Sequence, residues 1–187
     1  RTTLYVGGNF TTVNGVAGYG NIAKFDTITN TWSNPFGTGL GSSCTTLTTI
    51  GTNLYVGGNF TTVNGSGGYG YIAAFDTVGN TWSNPFGTGL GSACLTLYPI
   101  RNELYVGGSF TSVNGIGGYG YLAKFNSSTS TWSNPFGSGL SGGSTSCNTL
   151  TSNGSKLYIG GTFTSANGVS SYNNIAEFDI IENKWIN

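Results

Sequence analysis

The sequence contains no histidine and no methionine, and only 6% of its 187 residues are charged. Without histidine the commonest general base, proton shuttle and transition-metal ligand is missing, along with the Ser/His and Cys/His nucleophile pairs. Six lysines and arginines balance six aspartates and glutamates. The cations, Arg1, Lys24, Arg101, Lys124, Lys156 and Lys184, are scattered, so they build neither the clustered basic surface of a nucleic-acid binder nor a polybasic membrane anchor. No apolar run reaches the length of a helical membrane span, and no basic-then-apolar stretch opens the chain as a secretory signal. Residue 1 is arginine, so the sequence reads as a processed chain or a segment of a longer one. These gaps remove the prior of most enzyme classes. They predict a protein that is not an enzyme and has no cofactor, no metal, no nucleic-acid partner and no membrane insertion.

Glycine, by contrast, supplies 33 residues, and threonine, serine and asparagine fill much of the remainder. A hydrophobic share of 37% is low for a globular chain. Disorder is nevertheless a poor reading, because 4 Trp, 11 Tyr and 11 Phe are too many rings never to be buried. The rings also recur at regular intervals.

The string LYVGGNFTTVNG, beginning at Leu4, returns at Leu54, at Leu104 with serine substitutions, and at Leu157 as LYIGGTFTSANG. Residues 1–50 and 51–100 differ at 12 of 50 positions, the mark of recent duplication. Identity that high says little about any single residue. A period near fifty in a strand-rich sequence is the length of one propeller blade, and such repeats must stack to bury a shared core. Each repeat reads as four strands. In the second these are CTTLTTI at 44–50, a strand with an internal double glycine over 53–63, YIAAFDTV at 71–78, and a fourth that opens at TWSNPF and ends at Pro85.

The predicted architecture is therefore all-β. It is a single domain or propeller segment over 1–187, with repeats at 1–43, 44–93, 94–146 and 147–187 and four strands to each complete blade. The first blade lacks its inner strand, so the ring is incomplete. Either further chain or an edge-paired identical copy is expected to seal it.

The set Gly7-Gly8, Phe25-Asp26 and Trp32 repeats at Gly57-Gly58, Phe75-Asp76 and Trp82, at Gly107-Gly108, Phe125-Asn126 and Trp132, and at Gly160-Gly161, Phe178-Asp179 and Trp185. This spacing resembles a kelch-type blade. In wording the chain is still more similar to the LYVGGNFTT-type repeats of large bacterial and viral surface proteins. The resemblance implies a β-propeller and is nearly silent on activity. Kelch-like propellers include copper oxidases of the galactose oxidase type, whose sites need His and Tyr, so that activity does not carry over to a chain without histidine. The segment DTVGNTW at 76–82 is similar to the Asp-box of sialidases, with a spacing one residue too long.

Cys44, Cys94 and Cys147 occupy one equivalent position on successive inner strands and read as small buried hydrophobes rather than as a ring of metal-binding thiols. Asp26, Asp76 and Asp179 read as turn caps, since Asn126 replaces the acid in the third repeat. Glu103, Glu177 and Glu182 have no repeat partners and are expected on solvated faces. The double glycines are expected where a neighbouring backbone or ring packs close, with an aromatic such as Phe25 or Trp32 available in the blade, and the tryptophans are expected to pack between blades.

Two long loops per repeat should emerge on the same face, and binding residues sit preferentially on such loops. Tyr19, Tyr69, Tyr119 and Tyr172 stand there beside Asn14, Asn64, Asn114 and Asn167, with Tyr71 and Tyr121 added in the middle repeats. Either these rings pack the loops down while the asparagines make Asn-Gly turns, or rings and amides together hold a sugar, multiplied by repetition. The function expected is a non-enzymatic structural or interaction propeller of a secreted, cell-surface or virion assembly, with a protein or homo-oligomeric partner. The alternative is a multivalent carbohydrate-binding lectin built on the Tyr and Asn loops.

Overall fold

Every repeat lays its apolar residues in a row across a sheet. In the second repeat Leu54 stands opposite Phe75, and Phe75 opposite Trp82, so three large side chains line one face. Tyr55, one residue on, faces the other way, because side chains alternate along a strand. The same row recurs as Leu104, Phe125 and Trp132 and as Leu157, Phe178 and Trp185.

The computed structural model describes residues 2–186; Arg1 and Asn187 lie outside the described residues. Three repeats each form a four-stranded antiparallel meander. The first comprises Cys44–Ile50, Asn53–Gly58, Ile72–Asp76 and Thr81–Ser83. The next comprises Cys94–Ile100, Glu103–Gly108, Leu122–Asn126 and Thr131–Ser133, and the last Cys147–Ser152, Lys156–Gly161, Ile175–Asp179 and Lys184–Ile186. Among the described residues the leading repeat forms three strands, Thr3–Gly7, Ile22–Asp26 and Thr31–Ser33, without a counterpart of Cys44–Ile50. There is no helix among the described residues. The fold is all-β with repeated antiparallel sheets.

The first strands of successive sheets lie against one another, Cys44–Ile50 beside Cys94–Ile100 and that beside Cys147–Ser152. No strand pairing among the described residues links the leading sheet to the last, so the array is open.

Strand limits differ from those the sequence suggests. The second strand stops at Gly58, because the next amide, that of Asn59, donates to the Ser43 carbonyl and leaves the sheet. Residues Thr62–Val63 and Ser66–Gly67 then form a separate small hairpin over Asn64-Gly65, whose φ values of 51° and 78° match an Asn-Gly turn. The third strand is Ile72–Asp76, and the fourth ends at Ser83 rather than Pro85.

The core is divided into three clusters, each at a joint between consecutive repeats. Leu54, Val56 and Phe75 pack on Ile22 and Phe36 of the repeat before, while Tyr55, Ile72 and Ala74 pack on Phe86 and Leu97 toward the repeat after. Stability of this architecture therefore resides in its joints.

The glycine pairs serve the joints. A Cβ on Gly57 would lie 2.5 Å from Sγ of Cys94, and one on Gly107 would lie 2.3 Å from Sγ of Cys147. The first glycine thus makes room for the next repeat's thiol, not for an aromatic. The second, Gly58, has the expected close backbone and ring: a Cβ there would lie 2.1 Å from the Ser43 carbonyl oxygen and 3.1 Å from the Phe60 ring, not from Phe75 or Trp82.

Candidate functional site

Residues 34–43 connect the leading repeat to the second and stitch the two together. Asn34 donates from Nδ2 to the carbonyls of Gly18 (2.6 Å) and Gly37 (2.8 Å), while its Oδ1 accepts the Phe36 amide at 3.0 Å. This pins an Asn-Pro-Phe turn that drives Phe36 into the second repeat. The buried ring lies 4.6 Å from Phe75 and 5.9 Å from Trp82. Trp82 Nε1 donates to the Phe36 carbonyl at 3.0 Å. Trp132 and Trp185 bond the carbonyls of Phe86 and Phe136 in the same way.

The loop asparagines belong to the same stitching. Asn64 Oδ1 accepts the Thr38 amide at 2.9 Å, and the Asn64 amide donates to the Gly39 carbonyl at 2.7 Å. Asn114 Oδ1 accepts the Gly89 amide, and Asn167 Oδ1 that of Ser138. Asn14 is exposed, and its side chain makes no hydrogen bond among the described residues.

The tyrosines split into two groups. Tyr19 and Tyr172 are buried, and Tyr172 donates its hydroxyl to the Ile186 carbonyl at 3.2 Å. Tyr69 and Tyr119 are half-buried against the joint cores. Tyr71 and Tyr121 are not free loop rings: they stand at φ 64° and 67°, immediately before the third strand, and also pack against joint cores. The equivalent positions hold Asn21 and Asn174, at φ 63° and 67°. Asn21 uses its side chain there to bond Phe10 and Leu40.

What the joint leaves open is a groove of about 460 Å³ between the first two repeats. Pro35 and Gly37 form one wall, Asn64 and Tyr69 the other, with Trp82 and Asn80 also lining it. An equivalent groove of about 360 Å³ lies between the last two repeats, lined by Pro135, Asn167, Asn183 and Trp185. Asn64 and Tyr69 are thus brought together, and so are Asn167 and the indole of Trp185. Tyr172 instead lines a different depression, with Tyr158 and Ile175. The first groove carries no ionisable acid or base apart from the tyrosine hydroxyl. It offers an indole, a proline ring and amides, which suits a neutral ligand with one apolar face.

No family model and no curated protein matches this chain. Among solved structures it is similar to two computationally designed proteins. It superposes on Ika8 with a TM-score of 0.55 at 14% identity, covering 91% of this chain and 43% of Ika8. On Ika4 the TM-score is 0.51 at 15% identity, covering 80% of this chain and 73% of Ika4. The chain spans less than half the length of Ika8. At this identity the likeness speaks to the fold alone.

The carboxylates hold turns or pair with lysines. Asp26 Oδ1 accepts the amides of Ile28 and Thr29 at 2.8 and 3.0 Å, and these bonds, that from Thr29 foremost, hold its carboxyl below the usual range. Asn126 and Asp179 make the same pair of bonds. Two glutamates depart from expectation. Glu103 is half-buried, accepting from Asn126 Nδ2 at 3.0 Å with Lys124 Nζ 3.9 Å away, and Glu177 is half-buried against Lys156. Both sit on strands inside the sheets, where a lysine neighbour offsets their desolvation. Glu182 is exposed and pairs with Lys184. The thiols are buried, and burial pushes Cys44 up to about 12 and raises Cys94 and Cys147 likewise. A thiol held protonated is a poor nucleophile and a poor metal ligand.

Asn34, Asn84 and Asn134, with Phe36, Phe86 and Phe136, lie in one of the two long loops that the sequence places on the same face, and the structure makes them joint residues. Their sequence signal is Asn-Pro-Phe-Gly, which recurs three times at a spacing of fifty.

Proposed function

We propose that this protein is a segment of a kelch-like β-propeller acting as a non-enzymatic structural or interaction module of a secreted, cell-surface or virion assembly. One observation carries the reading. The polar side chains that recur with the repeat are spent on holding turns and joints, the Asp26 class on its own turn, the Asn34 class on the Phe turn and the Asn64 class on the neighbouring linker. A chain that invests its recurring polar groups in stacking units presents a rigid surface rather than a reacting centre. The low charge and the threonine, asparagine and glycine bias motivate the extracellular or virion location. A panel of hydrolase and oxidase substrates should give no turnover above that of unfolded protein. Turnover that survives repurification and vanishes on replacing one carboxylate would overturn the reading.

A second reading, a multivalent lectin, is favoured by the Trp82 and Trp185 grooves, where an indole lies beside amide groups at equivalent places. Ring stacking on an apolar sugar face with amides on its hydroxyls is the chemistry such a groove can supply. A glycan array reads this directly. Signal lost on Trp82→Ala would favour the lectin, and an array at background would remove it.

A further inference from the structure

The grooves at the internal joints carry side-chain amides whose hydrogen-bonding polarity is fixed by the joint itself. Asn64 Oδ1 accepts both the amide (2.9 Å) and the hydroxyl (3.1 Å) of Thr38. A backbone N–H only donates, so the atom facing it is the oxygen and the side-chain amide cannot turn over. Asn64 Nδ2 bonds nothing among the described residues and is left as a donor at the first groove. Asn80 lines the same groove at φ 53°, exposed, and its side chain makes no hydrogen bond among the described residues, so its oxygen and nitrogen are both open. Trp82 spends its Nε1–H on the Phe36 carbonyl and offers the groove only the carbon surface of its indole.

The last joint repeats this set. Asn167 Oδ1 accepts the amide and the hydroxyl of Ser138 at 3.2 and 3.4 Å, and Asn183, at φ 51°, lines the groove with Trp185. Lys184 lines it too, but Glu182 pairs with that lysine, so neither groove presents an uncompensated charge. The middle joint differs at one place. Asn114 is held as Asn64 is, but Ser130 stands at φ 53° where the other two joints have Asn80 and Asn183. The serine shows that this turn closes without an amide, so backbone conformation alone does not demand asparagine there.

We propose that the first and last joint grooves each bind a neutral 2-acetamido sugar through its acetamido group, with Asn64 and Asn167 as the specificity-determining residues. A secondary acetamide has one acceptor, one donor and one methyl group, and the first groove holds the complement of each. Asn64 Nδ2 donates to the carbonyl oxygen, Asn80 Oδ1 accepts the N–H, and the Trp82 indole takes the methyl group and the apolar face of the sugar ring. A plain hexose presents hydroxyls, which satisfy either end of an amide and gain nothing from its fixed orientation. The proposal rests on the lectin reading of these grooves and names the sugar class.

The test titrates the 187-residue chain with the methyl glycoside of N-acetylglucosamine and follows side-chain amide and indole resonances by NMR. The amides of Asn64, Asn80, Asn167 and Asn183 should move together with the indoles of Trp82 and Trp185, while the indole of Trp132 stays in place. The methyl glycoside of glucose lacks both amide hydrogen bonds and should bind at least about tenfold more weakly. Asn64→Asp keeps an oxygen for Thr38 but puts a second oxygen where the donor stood, so it should abolish the Trp82 response and spare that of Trp185. Asn80→Ser copies the middle joint and should weaken the first groove, and Ser130→Asn should bring Trp132 into the response. Three results would overturn the proposal: equal binding of the glucose glycoside, a Trp132 response equal to that of Trp82 in the unaltered protein, or equal binding of Nε-acetyl-lysine, which would make the amide and not the sugar the ligand. Equal binding of the glucose glycoside leaves the lectin reading standing, whereas no shift with either glycoside in large excess removes both, so the two failures are distinguishable.

Discussion

Phe25 and Phe75 occupy the same place in their sheets and differ in what the preceding repeat puts on them. Phe75 is 1% exposed, with its ring 4.6 Å from Phe36 and 5.0 Å from Trp82. Phe25 meets Trp32 at 4.8 Å and has no Phe36 counterpart among the described residues. Truncating an enclosed phenylalanine removes its transfer free energy and leaves a cavity, so Phe75→Ala should cost about 3–5 kcal/mol. Phe25 is already wetted, and Phe25→Ala should cost about 1–2 kcal/mol. The difference belongs to the joint. With a urea m-value of about 1–3 kcal/mol/M, the Phe75 variant should unfold earlier than the Phe25 variant, by about 1 M at the middle of these ranges.

Stacked repeats can lose cooperativity, so amide exchange along Asn53–Gly58 and along Thr3–Gly7 should be read beside the global transition. A double-mutant cycle of Phe36→Leu and Phe75→Leu should return a coupling of about 0.5–1.5 kcal/mol. Equal costs at Phe25 and Phe75 in the monomeric chain, or a coupling of zero, would refute the claim that stability resides in the joints.

Other outcomes follow from single contacts. Gly37 has φ 67° and faces Asn64 Oδ1, which a Cβ would approach to 2.4 Å, whereas Gly15, at φ 77°, has open space around it. Gly15→Ala should therefore cost about 1 kcal/mol for the left-handed backbone alone, and Gly37→Ala clearly more, with the first joint loosened in exchange; thermal melts of both variants check this. Asp26 has its carboxyl lowered by amide bonds, so its contribution is present above the usual carboxylate range and is lost as pH falls through the lowered folded value. Asp26→Asn, which copies the working Asn126, should fold normally and lose less stability than the parent during acid urea titrations. The thiols have the opposite sign: raised by burial, they favour the folded state below the free-thiol range and lose that contribution as pH rises above it. A disulfide reagent at pH 8 should label none of the three until the chain unfolds, and rapid labelling of Cys94 in folded protein would contradict its burial.

The fold was legible because duplication makes punctuation visible. Strand number, the missing strand of the leading repeat and the equivalence of the cysteines all follow from aligning the chain with itself. The joints were less legible, since a repeat compared only with itself does not show which residues touch the next copy. Phe36 and Phe75 are 39 positions apart and in different repeats, so no local periodicity links them. The glycine pairs show the same limit: the sequence says that a backbone or ring lies close, as Ser43 and Phe60 do at Gly58, and only the packing shows that Gly57 faces a thiol from the following repeat.

Tyr71 and Tyr121 mark where a repeat carries information beyond its scaffold. At the left-handed position where Asn21 and Asn174 stand, a tyrosine is sterically worse. In the two middle repeats the ring offsets that cost by packing on a joint core. The asparagine instead bonds locally, as Asn21 does with Phe10 and Leu40. The choice tracks position in the array, asparagine in the outer repeats and tyrosine in the inner ones. Exchanging them tests whether packing or backbone strain decides: Tyr71→Asn relieves strain worth about 1 kcal/mol and removes a ring from the second joint. If packing dominates, the variant is less stable and exchange rises along Glu103–Gly108 across that joint. A stabilised variant would show that the ring is kept for something other than stability, and would return Tyr71 to the candidates for ligand contact.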